Sequence, residues 1–272
     1  MFNNEQVTCP KDGAEWTYDG VKYWPSQGHI DFLAYAPYVK GKTLKENSSS
    51  INFTVSETIA NQTDLLWANV ENKTKDNLSS TEKNKVKFKF EHALSRLGFS
   101  VKLKGKSSDD ATITLKNITL AGSPTESTTG AFYTGGDINL ATGIWDPATL
   151  NTKQNLVWFS NSHQVTSTSQ SNKDFNTDYL FVIPQNFSQT GNTLYVKVEY
   201  TIQYTGVTDP NTGKPAIITN KVYKQLTTDF VQGKAYMINL TIGRPIEFDA
   251  EVKEWGTDTP VGGDDDSWEY IR

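Results

Sequence analysis

The segment LYVKVEYTIQY, residues 194–204, alternates apolar and polar side chains over its whole length. A repeat of two is the period of a β-strand that has one buried face and one face in water. The same period recurs in KVKFKF (85–90), AYMINLTI (235–242) and IEFDAEV (246–252). The sequence therefore predicts an all-β fold in which antiparallel strands form sandwiches.

Three further segments refine this prediction. In TITLKNITL (112–120) the alternation slips between Leu115 and Ile118, and a β-bulge near residues 116–117 would keep the apolar residues on one face. The segments DLLWANV (64–70) and DYLFVIP (178–184) are nearly continuous apolar runs. Such runs are typical of central strands that are covered on both faces.

The aromatic stretch YWPSQGHIDFLAYAPY, residues 23–38, allows two interpretations. It could form an exposed platform on which a ligand stacks, or a buried strand bounded by prolines. Apolar residues occupy both faces between Ile30 and Tyr35, and Pro37 would end the strand because it lacks a backbone donor. We expect a buried strand from Ile30 to Tyr35, with Phe32 in the core.

Turns and polar segments divide the chain. TDPNTGKPA, Thr208 to Ala216, combines Asp-Pro, Asn and Gly, and predicts a long hairpin between two strands. Residues 72–84 are polar and follow neither period, which predicts a long loop or a domain junction. From Gly256 onward, glycine and proline accompany the acidic run Asp264–Asp266, which predicts a flexible tail.

Composition excludes several classes of protein. The net charge of −5 and the lack of a basic cluster argue against a nucleic-acid partner. No apolar run approaches the roughly 20 residues that span a bilayer, and the N-terminal sequence lacks the pattern of a signal peptide. A single cysteine, Cys9, cannot form an internal disulfide, and we interpret it as an incidental loop thiol.

The residues of known catalytic and metal sites are missing. His29, His92 and His163 are scattered without the spacing of metal ligands, and we interpret them as packing or strand-end residues. Asp109–Asp110 and Asp264–Asp266 are consecutive, so their side chains point in opposite directions and do not face one another across a cleft. We therefore expect no catalytic, metal or cofactor-binding residues, and no metal or cofactor in the purified protein.

Three stretches carry short motifs in a fixed order. YWPSQGHIDFLAYAPY (23–38) contains Trp-Pro and then Phe-x-Ala-Tyr-x-Pro. DLLWANV (64–70) contains Asp-Leu-Leu-x-Ala, and VKFKFEHALSRLGFSVKL (86–103) contains Phe-x-His-x-Leu-x-x-Leu. FVQGKAYMINLTI (230–242) contains Gly-Lys-x-Tyr, and EVKEW (251–255) ends in Trp. From about Lys22 to Trp255, these stretches resemble the corresponding segments of the fimbrillin-like proteins of Bacteroidota, which are subunits of type V pili.

The resemblance implies two tandem transthyretin-like antiparallel β-sandwich domains. Residues 1–84 would form the first, residues 85–256 the second, and residues 257–272 an acidic flexible tail. Family members carry one or two strands before the Trp-Pro segment, so the resemblance implies that the first domain is incomplete at its N-terminus. A trimmed sequence, a misplaced start and a processed form are three explanations for this difference.

The resemblance also implies a location and a mode of assembly. Family members are exported lipoproteins on the outer membrane, held by a lipid anchor that this chain lacks, and serve as stalk, anchor or tip subunits of a fimbrium. A surface protease removes an N-terminal strand, and a strand from the next subunit fills the groove by β-augmentation. The candidate donor strand here comprises Ile246, Phe248, Ala250 and Val252, and the partners are other pilus subunits of the same or a different kind.

Two functions remain open at this point. The first is a structural or adhesive fimbrial subunit without catalysis. The second is a surface module that binds a glycan or a host or bacterial surface ligand through exposed aromatic side chains. Trp145, in the loop-like ATGIWDPATL (141–150), is the candidate ligand contact, whereas Trp158 in LVWF (156–159) is expected in the core.

Overall fold

The computed structural model describes residues 2–11, 15–77, 85–104 and 111–242 in full, and the backbone of residues 247–254, 257–261 and 269–270. No α-helix occurs among these residues, and none of their helical turns is long and apolar enough to cross a membrane. In chain order, the strands are β1 Ile30–Ala36, β2 Ser50–Thr54, β3 Leu66–Lys73, β4 Glu91–His92, β5 Ser95–Leu103, β6 Ala111–Ala121, β7 Phe132–Tyr133, β8 Gly135–Asn139, β9 Lys153–Gln154, β10 Leu156–Gln164, β11 Gln170–Ser171, β12 Leu180–Val182, β13 Leu194–Thr208, β14 Pro215–Leu226, β15 Lys234–Ile242, β16 Glu247–Glu254, β17 Thr257–Val261 and β18 Glu269–Tyr270. Two short 3-10 turns accompany them at Ile59–Asn61 and Pro147–Thr149.

The chain divides into two compact units. Unit 1 comprises residues 1–54, 64–93 and 135–150, and unit 2 comprises residues 55–63, 94–134 and 151–272. This division differs from the two consecutive ranges predicted from the sequence. The cause is the antiparallel pairing of β2 with β8, which brings Ile51 opposite Ile138 and carries residues 135–150 into unit 1.

Unit 2 is built from two large sheets. One has the strand order β10-β6-β13-β14-β18, and the other has the order β11-β5-β15-β16-β17 with β12 also paired to β5. The inward-facing residues of both sheets form one buried apolar cluster, which includes Phe99, Ile118, Val198 and Ile238. Unit 2 is therefore a β-sandwich, as the alternation predicts.

One strand pair departs from the predicted antiparallel arrangement. β5 and β15 run parallel, with Arg96 opposite Ala235 and Leu103 opposite Ile242. Parallel neighbours need a long connection, because a tight hairpin can join only antiparallel strands. The long stretch of chain between β5 and β15 meets this requirement, and local alternation carries no information about it.

Two local predictions are confirmed. The register between β6 and β13 shifts where Glu199 pairs with Asn117 and Tyr200 with Leu115, so Lys116 is the extra residue of a bulge. Both Leu115 and Ile118 are buried, as the bulge was expected to allow. The predicted hairpin is also present, because β13 and β14 are antiparallel and joined by the turn at residues 209–214.

Apolar runs and polar tails were less reliable signals. β3 is central between β1 and β4, as predicted, but most of its residues are half-buried or exposed, so it is not covered on both faces. β12 has β5 as its one partner among the described strands and is not central. Its run is apolar because Leu180 and Val182 enter the core. The predicted flexible tail contributes β17 along β16 and β18 along β14, whose edges offer it partners. Asp264–Asp266 lie outside the described residues.

Unit 1 has smaller sheets. One has the order β1-β3-β4, and the other pairs β2 with β8. The predicted strand at Ile30–Tyr35 is confirmed as β1, but its burial is not as predicted, because most of its residues, Phe32 included, are only half-buried. A strand with one partner in a three-stranded sheet lies at an edge, where full burial requires a cover from elsewhere.

A buried carboxylate links three segments of unit 1. The side chain of Asp137 in β8 is 3% exposed, forms an ion pair with Lys45 and accepts a hydrogen bond of 2.9 Å from the Asn52 amide. Burial alone would raise the pKa of Asp137, but the Lys45 ammonium and the Asn52 amide outweigh it and hold the pKa below its ordinary value. The charged form therefore stabilises unit 1.

We expect deletion of Lys116 to leave unit 2 folded. Without this extra residue, Leu115 and Ile118 stand two positions apart, so a regular strand keeps both on the buried face and the ladder with β13 needs no shift. The matched control is deletion of Thr119, which makes Ile118 and Leu120 neighbours, turns one of them to the outer face of β6 and should abolish folding of unit 2. Near-ultraviolet circular dichroism checks both variants, and an equal loss of tertiary signal in the two would contradict the assigned bulge.

Phe99→Ala should destabilise the protein more than Phe32→Ala. Phe99 is fully buried and packs edge-to-face on Trp158 at 5.1 Å, so its removal should cost about 3–5 kcal/mol. Phe32 is half-buried, and its loss should cost about 1–3 kcal/mol because less apolar surface returns to water. Urea denaturation measures both values. Equal losses would mean that the Phe32 ring is enclosed.

Asp137→Asn should destabilise unit 1 at neutral pH by about 1–3 kcal/mol. Because the folded-state pKa is lowered, the stabilisation is present above the unfolded pKa of about 3.9 and is lost as pH falls through the folded pKa. The wild type and the variant should therefore converge in stability on acidification. Thermal unfolding at pH 7 and pH 3 tests this, and equal melting temperatures at pH 7 would contradict it.

Candidate assembly surface

An array of aromatic side chains surrounds Phe32 on β1. The Phe32 ring centroid lies 5.6 Å from that of Phe2, 6.0 Å from that of Trp24 and 6.3 Å from that of Phe88, all edge-to-face. The array continues to Tyr18 and Phe90, and we call these six side chains the aromatic cluster: Phe2, Tyr18, Trp24, Phe32, Phe88 and Phe90. None is fully buried, which leaves a continuous apolar surface partly in water.

Most of the cluster comes from segments outside the sheets. Phe2, Tyr18 and Trp24 belong to N-terminal residues that form no strand, and an isolated backbone bridge joins Thr8 to Thr17 in this part of the chain. Tyr18 and Phe90 remain 40% and 43% exposed. Irregular segments thus cover the Phe32 face of the sheet where a second sheet would cover it in a complete sandwich.

Residues 85–90 (KVKFKF) are the clearest disagreement with the sequence prediction. From Lys85 to Lys89 they alternate in exposure as expected, with the three lysines exposed and Val86 and Phe88 half-buried. Phe90 is exposed, and the residues belong to no strand. The ladder between β3 and β4 contains only the pairs Leu66–His92 and Trp67–Glu91. This stretch, the Lys85–Phe90 segment, therefore has the side-chain pattern of a strand without a strand's ladder.

β1 presents an edge beside the aromatic cluster. Among the described strands it pairs only with β3, so its other edge faces no strand. Its C-terminal end is fixed by the Tyr35 hydroxyl, which lies 2.6 Å from Asn4 Oδ1 and 3.1 Å from the Val39 carbonyl oxygen. Burial raises the pKa of Tyr35, so the hydroxyl stays protonated at neutral pH and can donate.

The candidate donor strand corresponds to β16, which pairs antiparallel with β15. Phe248, Ala250 and Val252 stand opposite Leu240, Ile238 and Tyr236, three residues of the unit 2 core. Ile246 lies outside the described residues, and the description of the other three covers their backbone. In this arrangement the strand closes its own unit.

The two tryptophans singled out from the sequence are both packed. Trp145 is 8% exposed and donates its indole N–H to the Ala93 carbonyl at 2.9 Å, so it offers almost no surface to a ligand. Trp158 lies in the unit 2 core, as expected. Near Trp145, Gly143 has φ +72°, and a Cβ there would lie 2.0 Å from the Trp67 ring. The loop around Trp145 is therefore closely packed.

Sequence reasoning did not single out Trp16, and it set aside the exposed-platform interpretation of the stretch that begins with Tyr23. These two have the most exposed aromatic side chains among the described residues. Trp16 is 70% exposed and Tyr23 is 86% exposed, both in the N-terminal part of unit 1. The available signal was their position in a segment with neither helical nor strand period. The histidines have separate partners, such as Asp64 for His92, and no group of three potential metal ligands occurs in the described part of the chain.

Comparison with known proteins finds a matching family and similar solved structures. A family model described as fimbrillin-like matches residues 1–255. A fimbrial protein from Bacteroides vulgatus is similar in structure, with a TM-score of 0.68 at 22% identity over 92% of this chain and 84% of that chain.

Two further solved structures are more distant. Candidate cell adhesion proteins from Bacteroides uniformis and Bacteroides ovatus both have TM-scores of 0.46, at 20% and 15% identity. They cover 90% and 93% of this chain, and 78% and 77% of their own. No curated protein matches the sequence. Because the family model spans nearly the whole chain, the protein belongs to the fimbrillin-like family.

Proposed function

We propose that this protein is a structural or adhesive subunit of a surface fimbria, without catalytic function, which joins other subunits by strand exchange. The observation that carries the proposal is the half-exposed aromatic cluster beside the edge of β1 that has no partner among the described strands. An apolar surface next to a free sheet edge is what β-augmentation requires, because the added strand needs backbone partners and pockets for alternate side chains. Family membership supports the same function.

The proposed donor is the strand of Ile246, Phe248, Ala250 and Val252, and the proposed acceptor lies in unit 1. Apolar residues at every second position would fill successive pockets, while main-chain hydrogen bonds hold the strand. The proposal includes export as a lipoprotein to the outer membrane and transthyretin-like topology in both units. These parts rest on the family resemblance.

A second candidate function is the binding of a surface glycan or host ligand. Its support is the exposure of Trp16 and Tyr23, since aromatic rings can stack on sugar faces. Tryptophan fluorescence titration with oligosaccharides separates the two functions. A saturable change that is lost in Trp16→Ala, together with an absence of polymers, would favour the ligand-binding module.

Deletion of residues 245–272 tests the donor role. If the strand is a donor, the truncated protein should stay folded by circular dichroism but fail to form polymers by size-exclusion chromatography and electron microscopy. The wild type should polymerise, before or after limited trypsin digestion. The control is deletion of residues 262–272, which keeps β16 and β17 and should leave polymerisation unchanged.

Two other results would contradict this proposal. Gross unfolding of the truncated protein would mean that β16 is an intrinsic core strand of unit 2. An intact fold with normal polymerisation would mean that the C-terminal strand plays no part in assembly.

A further inference from the structure

The Lys85–Phe90 segment has two chemically distinct rows. Its exposed row consists of Lys85, Lys87 and Lys89, and its other row consists of Val86, Phe88 and Phe90. Phe88 joins this second row to Phe32 of the aromatic cluster. Val86 and Phe88 of the second row are half-buried, whereas Phe90 and the three lysines are exposed to solvent.

Residues 246–252 have the complementary sequence. Their apolar residues alternate with Glu247, Asp249 and Glu251. When the two segments are aligned side by side, three acidic residues stand opposite three lysines and the apolar rows fall together. This match holds for a parallel and for an antiparallel alignment, because both patterns repeat every second residue.

Cross-strand pairs of this kind favour one partner over another. Opposite charges and apolar pairs directly across a ladder each stabilise by roughly 0.2–1 kcal/mol, and like charges destabilise. Among the strands of the described structure, none has three basic residues at alternate positions. The edge of β1, for example, carries Asp31 as its only charged residue and no cation. The Lys85–Phe90 segment is thus the acceptor that fits an acidic strand best.

We propose that the Lys85–Phe90 segment is the docking site for residues 246–252 of a second copy of this chain, and that the lysine row selects this strand through its three acidic residues. The inference rests on the proposed function and adds the acceptor segment and the opposite-charge pairs that would select the donor strand. Binding gives the segment the ladder that it lacks within the described chain, and it covers part of the aromatic cluster.

The first test reverses charge at two exposed positions. Lys85→Glu/Lys89→Glu should slow polymer formation by about tenfold or more, because two attractive pairs become repulsive. The melting temperature of the monomer should stay unchanged, since the Lys85 side chain is 61% exposed and its ion pair with Glu15 is at the surface. The matched control is Lys40→Glu/Lys75→Glu, which changes the net charge equally at exposed lysines of unit 1 and should polymerise as wild type.

A charge swap tests the partner directly. Glu247→Lys/Glu251→Lys should block assembly alone, and its combination with Lys85→Glu/Lys89→Glu on one chain should restore it. A synthetic peptide of residues 246–252 gives a readout that does not depend on polymerisation. The peptide should bind wild-type protein in fluorescence anisotropy, and a peptide with both glutamates replaced by lysine should not.

The outcomes separate this inference from the proposed function. If removal of residues 245–272 blocks assembly while the lysine reversals have no effect, the proposed function stands and this acceptor is wrong. If Lys85→Glu/Lys89→Glu and the control variant slow assembly equally, net charge controls the rate and the proposed selection by the lysine row is wrong. If the wild type forms no polymers and binds no peptide, both proposals fail.

Discussion

Each β-strand has two hydrogen-bonding edges, and a folded chain must pair, cover or use every one of them. In unit 2 the central strands β5, β6, β13 and β15 have neighbours on both sides, so the rings between the sheets are enclosed. In unit 1, β1 has one described neighbour and the aromatic cluster stays half-exposed. The difference in strand pairing thus explains why one unit has a complete core and the other has an apolar surface.

Local features of the fold could be predicted because their cause is local. Alternation at every second residue identifies the buried face of a strand, and it did so for β13 and β15. The slip in alternation around Lys116 identified a bulge, since a bulge that holds one extra residue returns Leu115 and Ile118 to one face. Asp-Pro, Asn and Gly at residues 209–213 identified the hairpin, because the turn preferences of these residues are also local.

Pairing partners could not be predicted, because alternation tells which face of a strand is buried and says nothing about its neighbour. The pairing of β2 with β8 joins residues far apart in the chain and displaced the predicted domain boundary. Trp145 illustrates the same limit. Its loop-like sequence suggested exposure, but an indole N–H bond to Ala93 and the bridge to Ile138 place it inside unit 1. The alternation in KVKFKF predicted a strand, but it could not show that the segment has no partner strand among the described residues.

The parallel pairing of β5 with β15 also determines when unit 2 can fold. Ser100 and Asn239 are joined across it by a side-chain hydrogen bond, although they are 139 residues apart in sequence. At synthesis rates of about 5–20 residues per second, β15 emerges on the order of ten seconds after β5. During that interval the β15 edge of β5 has no permanent neighbour. Contacts of such long range slow folding, so a chain of this design gains from any factor that shields β5 until its partner arrives.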